Sequence, residues 1–191
     1  MDNRTEVRIK EITQEKGGPE SCHRIVLEDK AATFTVPVII STYDVKPIMD
    51  AFEKRLPDRP HTHDLFDSFI ERSGAVLLDV SIVHFEKGVF YAKLSFLGRS
   101  GPFSMDSRVS DALALALRSG APVYIEDSVI KKLGVAEFSD DAAAGNAGNG
   151  HKAEIARLEN RLQQLVATEC YEDAAIVRDK IKELKMKNKG V

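Results

Sequence analysis

Two short stretches of the chain carry side chains that can move protons, bind metal ions or hold phosphate. In the first stretch His63 is followed by Asp64, and in the second Asp106, Arg108 and Asp111 lie close together. An imidazole gains or loses a proton near neutral pH, and carboxylate oxygens are ligands that Mg²⁺ and Mn²⁺ prefer. An arginine guanidinium binds phosphate through paired hydrogen bonds. Together these residue types suit chemistry on a phosphate ester.

Hydrolysis of a phosphodiester bond is the reaction that such a set predicts. It needs a nucleophilic water, neutralised charge on the nonbridging oxygens and assistance to the leaving oxygen. We expect His63 to activate the water or to protonate the leaving oxygen, with a divalent cofactor, Mg²⁺ or Mn²⁺, held by carboxylates. The predicted catalytic carboxylates and metal ligands are Asp64, Asp106 and Asp111, and the predicted phosphate-binding residues are Arg59 and Arg108.

A purely structural interpretation of the same residues stays open. Thr62 and Asp64 can cap a helix while His63 hydrogen-bonds a nearby backbone group. The second stretch can form an internal ion-pair and capping set that fixes the loop before a helix. The spacing of the residues by itself does not choose between the two interpretations.

Both stretches resemble signatures of the bifunctional nuclease (BFN) family. Residues 59–65 (RPHTHDL) are similar to the family's R-P-x-T-H-D-L, and residues 106–118 (DSRVSDALALALR) to its D-A-R-P-S-D-A-I-A-L-A-L-R. The chain departs from the family at His61, usually aliphatic, and at Val109, usually proline. The resemblance extends over residues 5–135 and implies nuclease activity on both DNA and RNA. The roles given above to individual residues are our own inference.

A short pattern occurs twice in the chain: an extended apolar run, a serine or threonine cap, an aspartate and a buried helix. It is found around Asp44 and again around Asp111. A duplicated strand–helix unit would aim two helix N-termini, each with an aspartate, into one cleft. Ordinary helix capping accounts for the pattern as well, because capping residues and first-turn acids are frequent.

The hydrophobic periodicity predicts an α+β fold: a mostly antiparallel sheet with buried helices, followed by a C-terminal α-helical hairpin. Ser110 and Gly120 are the expected caps of a central helix that is apolar on every side, and Thr62 is the expected N-cap of an earlier helix. That earlier helix is expected to turn Leu65, Phe66, Phe69 and Ile70 inward. Strands are predicted at residues 5–12, 22–28, 34–40, 76–84, 88–97 and 122–125, and further helices at 44–55, 64–73 and 128–133.

The C-terminal part is expected to form a separate unit. The sequence predicts a BFN-like domain at residues 1–138, a flexible linker without large apolar residues at 139–150, and a helical hairpin at 151–188. Residues 171–181 resemble the UVR motif of bacterial excision nuclease subunits and some protease adaptors. A hairpin of this size cannot cover its own apolar stripe, which implies a protein partner or a homo-oligomer. The predicted partner-binding residues are Leu158, Leu162, Leu165, Tyr171, Ala175 and Arg178.

Composition limits the partners and the compartment. The net charge of −3 provides no strongly basic surface, so contact with nucleic acid is expected to be local, metal-assisted or transient. No apolar run is long enough to span a bilayer, and we expect a cytoplasmic protein without membrane contact. Cys22 and Cys170 lack CxxC spacing and a histidine partner pattern, so both are expected to be reduced thiols.

A second function, from a different class, remains open on the sequence alone. The first domain can be a non-catalytic module that binds a ligand or a protein, with the hairpin recruiting repair or protein-quality-control machinery. The acidic net charge and the departure at Val109 favour this adaptor, whereas the two blocks of titratable residues favour a nuclease.

Overall fold

Seven strands form one sheet in the computed structural model, which describes residues 3–14, 22–55, 57–133, 150–167 and 171–187. The strand order is β3-β2-β1-β7-β4-β5-β6, and every neighbouring pair is antiparallel except β4 and β7. The predicted α+β class with a mostly antiparallel sheet is confirmed. The strands are β1 Arg4–Gln14, β2 Cys22–Asp29, β3 Thr35–Ser41, β4 Val76–Glu86, β5 Val89–Gly98, β6 Gly101–Arg108 and β7 Val123–Glu126.

Four helices pack against one face of this sheet: α1 Thr42–Phe52, α2 Thr62–Ser73, α3 Val109–Ser119 and α4 Asp127–Leu133. Helix α3 lies where two apolar clusters meet, and its residues 112–116 are all buried, as predicted. Gly120 ends it in the left-handed conformation (φ +69°), also as predicted. The N-cap, however, is Arg108. The prediction for Ser110 is wrong because that residue is buried inside the first turn.

Helix α2 differs from its prediction in two ways. His61 is its N-cap instead of Thr62, which lies inside the first turn. Ile70 is buried and Phe66 packs beside it, but Leu65 and Phe69 are 57% and 65% exposed, so the prediction that all four face inward is wrong. Leu65 and Phe69 lie on the helix surface outside the narrow stripe of α2 that contacts the core.

Strand β6 is an edge strand that the sequence pattern did not predict. No strand was predicted between residues 97 and 122, yet Gly101–Arg108 pairs with β5 along its whole length, from Gly98↔Gly101 to Tyr91↔Arg108. Most side chains of β6 are exposed on both faces, so they show no hydrophobic alternation. Pairing with β5, a contact outside the segment, therefore decides its conformation.

The sheet is strongly curved. In a flat seven-stranded sheet the two edge strands would lie about 29 Å apart at ordinary strand spacing. Here Arg108, at the end of edge strand β6, contacts Asp44, which follows the opposite edge strand β3, with 3.3 Å between Nη1 and Oδ1. The curvature therefore brings the starts of α1 and α3 together.

The C-terminal hairpin consists of α5 Gly150–Ala167 and α6 Tyr171–Lys187. Its apolar stripe forms a cluster with Cys22 of β2 and Ile39 of β3, two neighbouring-strand residues that face away from α1–α4. Cys22 is disulfide-bonded, so the expectation of a reduced thiol is wrong at this position. Cys170 and most of the predicted linker, residues 139–149, lie outside the described residues. Within the described ranges, no helix is long and apolar enough to cross a bilayer.

Candidate functional site

The N-termini of three helices carry the candidate site. Each of the helices α1, α2 and α3 has an aspartate in its first turn, and the three are Asp44, Asp64 and Asp111. A carboxylate at this position is favoured by the partial positive charge of the helix N-terminus and by the unpaired N–H groups there. Ordinary helix geometry therefore accounts for an aspartate at the start of each of these helices.

Arg108 joins the starts of α1 and α3. Its Nε and Nη2 atoms donate to the two carboxylate oxygens of Asp111 at 2.8 and 3.0 Å, and Nη1 lies 3.3 Å from Oδ1 of Asp44. Asp44 is held in turn by Ser41, whose hydroxyl donates to Oδ2 at 2.9 Å. The Arg108 side chain is 65% exposed, so its outer edge remains open to solvent.

His63 adds the start of α2 to the same group. Its Nε2 lies 3.1 Å from Oδ1 of Asp111, with the histidine and aspartate side chains 19% and 32% exposed. The two stretches singled out in the sequence thus meet at Asp111. We call His63, Arg108, Asp111 and Asp44 the three-helix cluster.

Hydrogen bonding within the cluster fixes the charge of Asp111. The His63 side chain, together with Arg108, lowers the pKa of Asp111 to about 2 even though burial acts in the opposite direction. The hydrogen bonds from Arg108 to Asp111 likewise raise the pKa of Arg108. Asp111 is therefore ionised at any ordinary pH and can only accept hydrogen bonds.

Asp64 belongs to a different group, although it is adjacent to His63 in sequence. Its Oδ1 accepts from Nε of Arg118 at 2.7 Å, and its Oδ2 accepts from the backbone N–H of His61 at 2.7 Å. Burial raises the pKa of Asp64, but these hydrogen bonds outweigh it and the net pKa is lowered. Arg118 also donates to the backbone oxygens of Pro47 and Ala114, both at 2.9 Å.

Asp106 and Arg59 stand apart from these contacts. Both are exposed, and within the described parts of the chain neither makes a side-chain hydrogen bond or ion pair. Asp106 lies on β6 two residues before Arg108, opposite Lys93 of β5. Arg59 lies in the loop before α2.

The predicted metal ligands do not form a ready-made set. Asp111 is engaged by His63 and Arg108, Asp64 is engaged by Arg118, and Asp106 lies apart from both. Over the residues that the structure describes, no group of three or more histidine, cysteine, aspartate or glutamate side chains is placed to hold a metal ion. Binding of Mg²⁺ or Mn²⁺ remains a prediction.

Two residues of this region were absent from the predicted site. Asp44 had a signal in the sequence, since it occupies the same place in the repeated strand–cap–helix pattern as Asp111. The structure brings both aspartates to one arginine. Arg118 had a weaker signal, being a cation in the last turn of an otherwise apolar helix.

Comparison with known proteins gives matches over both parts of the chain. Residues 25–137 match the bifunctional nuclease domain, and residues 152–186 match the UvrB/UvrC motif, which confirms both resemblances. Two relatives are the "Uncharacterized protein MT1877" and the "Uncharacterized protein Rv1829" of two Mycobacterium tuberculosis strains, CDC 1551 / Oshkosh and ATCC 25618 / H37Rv. Each is 32% identical over 140 residues, which cover 72% of this chain and 82% of the relative.

Proposed function

The chain belongs to the bifunctional nuclease domain family, and from that premise we propose that it hydrolyses phosphodiester bonds of DNA or RNA at the three-helix cluster. The observation that carries the proposal is the hydrogen bond between His63 and Asp111. It joins an imidazole from one family signature to a carboxylate from the other and gives the imidazole a defined orientation. The matched UvrB/UvrC motif supports a protein-interaction role for the hairpin.

His63 is the proposed general base. Because Asp111 is ionised and accepts only, the hydrogen bond at 3.1 Å assigns the proton of the neutral imidazole to Nε2. The lone pair then lies on Nδ1, for which the described residues provide no hydrogen-bond partner. Nδ1 can take a proton from an attacking water, and Asp111 then stabilises the imidazolium that results.

Arg108 is the proposed phosphate-binding residue. A guanidinium has five N–H donors, and three of them are directed at Asp111 and Asp44. The remaining donors are on the exposed side of the group and can bind nonbridging oxygens of a phosphodiester. Arg59, exposed in the loop before α2, is the second proposed phosphate contact. Binding is expected to be transient because few cations are available.

In the proposed reaction the water oxygen forms a bond to phosphorus while the bond from phosphorus to one ester oxygen breaks. The water proton passes to Nδ1 of His63, and the departing alkoxide is protonated by solvent. We assign no step to a metal ion, since the described carboxylates form no ligand set. Dependence on Mg²⁺ or Mn²⁺, with Asp106 as the carboxylate least engaged by other residues, is a separate prediction that the assay includes.

The test is cleavage of labelled single-stranded DNA and RNA by the full-length protein with Mg²⁺, Mn²⁺ or EDTA. Loss of a general base typically lowers a rate by about 100-fold or more, and we expect that loss for His63→Ala. His84→Ala is the matched control, because His84 is an exposed histidine on β4 outside the cluster. This variant should cleave the substrates at the rate of the unmodified protein.

Asp106→Asn completes the assay by removing one negative charge at nearly constant shape. A decrease that appears only with added Mg²⁺ or Mn²⁺ supports the predicted metal role of Asp106. Cleavage that is unchanged in both His63→Ala and Asp106→Asn would place the active site elsewhere or assign the activity to a contaminant.

The non-catalytic adaptor is the second candidate, and one observation favours it. Both carboxylate oxygens of Asp111 are engaged by His63 and Arg108, as in an ion-pair network whose role is to join three helices. In this function the first domain binds a ligand or protein and the hairpin recruits repair or protein-quality-control machinery. Nucleic-acid or protein binding without cleavage under every metal condition would support the adaptor.

A further inference from the structure

The apolar stripe of the C-terminal hairpin is covered by the first domain. Leu165 of α5 and Ala174, Val177 and Ile181 of α6 are buried in one cluster with Cys22 and Ile39. Leu165 is one of the residues that the sequence predicted to contact a protein partner. In this structure Leu165 is covered within the chain itself, whereas Tyr171 and Arg178 of the same predicted set remain exposed.

The sheet contributes little apolar surface to this contact. Of the described residues, the cluster takes only Cys22 and Ile39 from the sheet, whereas the remaining members come from the hairpin itself. On the sheet side the contact rests on two side chains, and a fully buried aliphatic side chain contributes about 1.5–3 kcal/mol before the cost of ordering. A second attachment at this point would therefore add substantially to the apolar packing.

A covalent bond is present at the same point. Cys22 is fully buried in the cluster and is disulfide-bonded. The chain contains two cysteines, and the other, Cys170, stands in sequence between the end of α5 and the start of α6. The disulfide therefore coincides with the contact between sheet and hairpin.

We propose that this disulfide joins Cys22 to Cys170 and holds the hairpin on the sheet, and that its reduction by a dithiol releases the apolar stripe. One thiolate of the reductant attacks a disulfide sulfur and forms a mixed disulfide, and its second thiol displaces the protein. The protein gains two electrons and two protons and has two thiols, while the reductant becomes a disulfide. Binding of a partner to the released stripe rests on the proposed protein-interaction role of the hairpin. Release of the stripe on reduction does not depend on that role.

Because Cys22 is buried, reduction of the disulfide depends on whether the hairpin is in contact with the sheet. A reductant must approach a disulfide sulfur directly, and the hairpin covers this sulfur, so reduction requires the hairpin to lift first. The disulfide in turn keeps the hairpin close after each opening.

The experiment is amide hydrogen exchange of the full-length protein with and without dithiothreitol, with the disulfide identified by mass spectrometry. After reduction we expect amides of α5 and α6 to exchange at least tenfold faster, while amides of α3 in the same sample are unchanged. Cys22→Ser and Cys170→Ser should each show the fast exchange without reductant, so failure of one variant to fold leaves the other.

Ile39→Ser provides a variant that leaves both sulfurs in place. It weakens the apolar cover, and we expect dithiothreitol to reduce the disulfide several-fold faster than in the unmodified protein. A mass spectrum of the oxidised protein without a Cys22–Cys170 bond, or equal exchange of the hairpin with and without reductant, would overturn the proposal. Neither measurement involves nucleic acid or a partner, so the outcome is independent of the proposed nuclease activity.

Discussion

Asp111 accepts hydrogen bonds from His63 on α2 and from Arg108 at the start of its own helix. Protonation of Asp111 would therefore weaken its contacts with both residues. The pKa of its carboxyl is about 2, below the ordinary value of 3.8, chiefly because of His63 and then of Arg108. Between these two values the unfolded chain binds a proton at this position and the folded chain does not. Acidification through this range therefore favours unfolding.

The stabilisation contributed by Asp111 is expected to be complete above about pH 4 and lost as the pH falls towards 2. With allowance for solvent screening of a partly exposed group, the contribution is on the order of 1–2 kcal/mol. Asp111→Asn should therefore be less stable than the unmodified protein at pH 5 by this amount, and the difference should shrink at pH 2.5. Denaturant unfolding at both pH values measures it.

Asp67→Asn is the matched control, since it alters an aspartate with the opposite behaviour. Burial, followed by the nearby charge of Glu71, raises the pKa of Asp67. Loss of its charge should not lower stability at pH 5 relative to pH 2.5. An Asp111→Asn difference that is the same at both pH values would show that the low pKa does not contribute to folding.

At the scale of elements, Arg118 connects the three helices whose N-termini form the site. It extends from the last turn of α3 to Asp64 in the first turn of α2 and to the backbone oxygen of Pro47 in α1. Its side chain is only 10% exposed, so these hydrogen bonds are shielded from water. The contact orients α2, and with it His63, relative to α3.

Arg118→Met keeps much of the side-chain length and removes the donors. We expect a loss of about 2–3 kcal/mol in the free energy of unfolding, because Asp64 would then be a partly buried charge without its cation. Arg72→Met, in the exposed last turn of α2, is the control and should change stability by less than about 0.5 kcal/mol. Similar values for the two variants would mean that Arg118 does not hold the helices together.

At the scale of the whole molecule, the net charge of −3 restricts how nucleic acid can bind. A net negative charge provides no general attraction to phosphates, so the proposed binding would depend on a few local cations, for which we propose Arg59 and Arg108. For single strands each neutralised phosphate contributes about 0.7 to the slope of log affinity against log salt concentration.

Two phosphate contacts predict a slope of about −1.4 for single-stranded RNA or DNA. Arg59→Gln and Arg108→Gln should each make that slope shallower by about 0.7, and Arg72→Gln should leave it unchanged. Titrations of the catalytically impaired His63→Ala protein at several salt concentrations provide the measurement. A slope much steeper than −1.4 would indicate phosphate contacts beyond those of Arg59 and Arg108.

The sequence by itself determined the elements whose residues repeat with a clear period. Helix α3 was recognised from its unbroken apolar run, β4 and β5 from their alternation, and the hairpin from its spaced leucines. These signals are local, because the side chains that face a core recur with the geometry of their own helix or strand. The two family signatures were local as well, and they identified the family.

Only the tertiary structure decided which of the singled-out residues meet. Adjacent in sequence, His63 and Asp64 bind different partners, Asp111 and Arg118. Arg108 reaches Asp44 because the sheet curves until its opposite edges approach. Edge strand β6 takes its conformation from pairing with the neighbouring strand β5, and the disulfide at Cys22 was likewise invisible in the spacing of the cysteines. A local pattern specifies which way a side chain points within its own element, but the order and curvature of the strands determine what it encounters there.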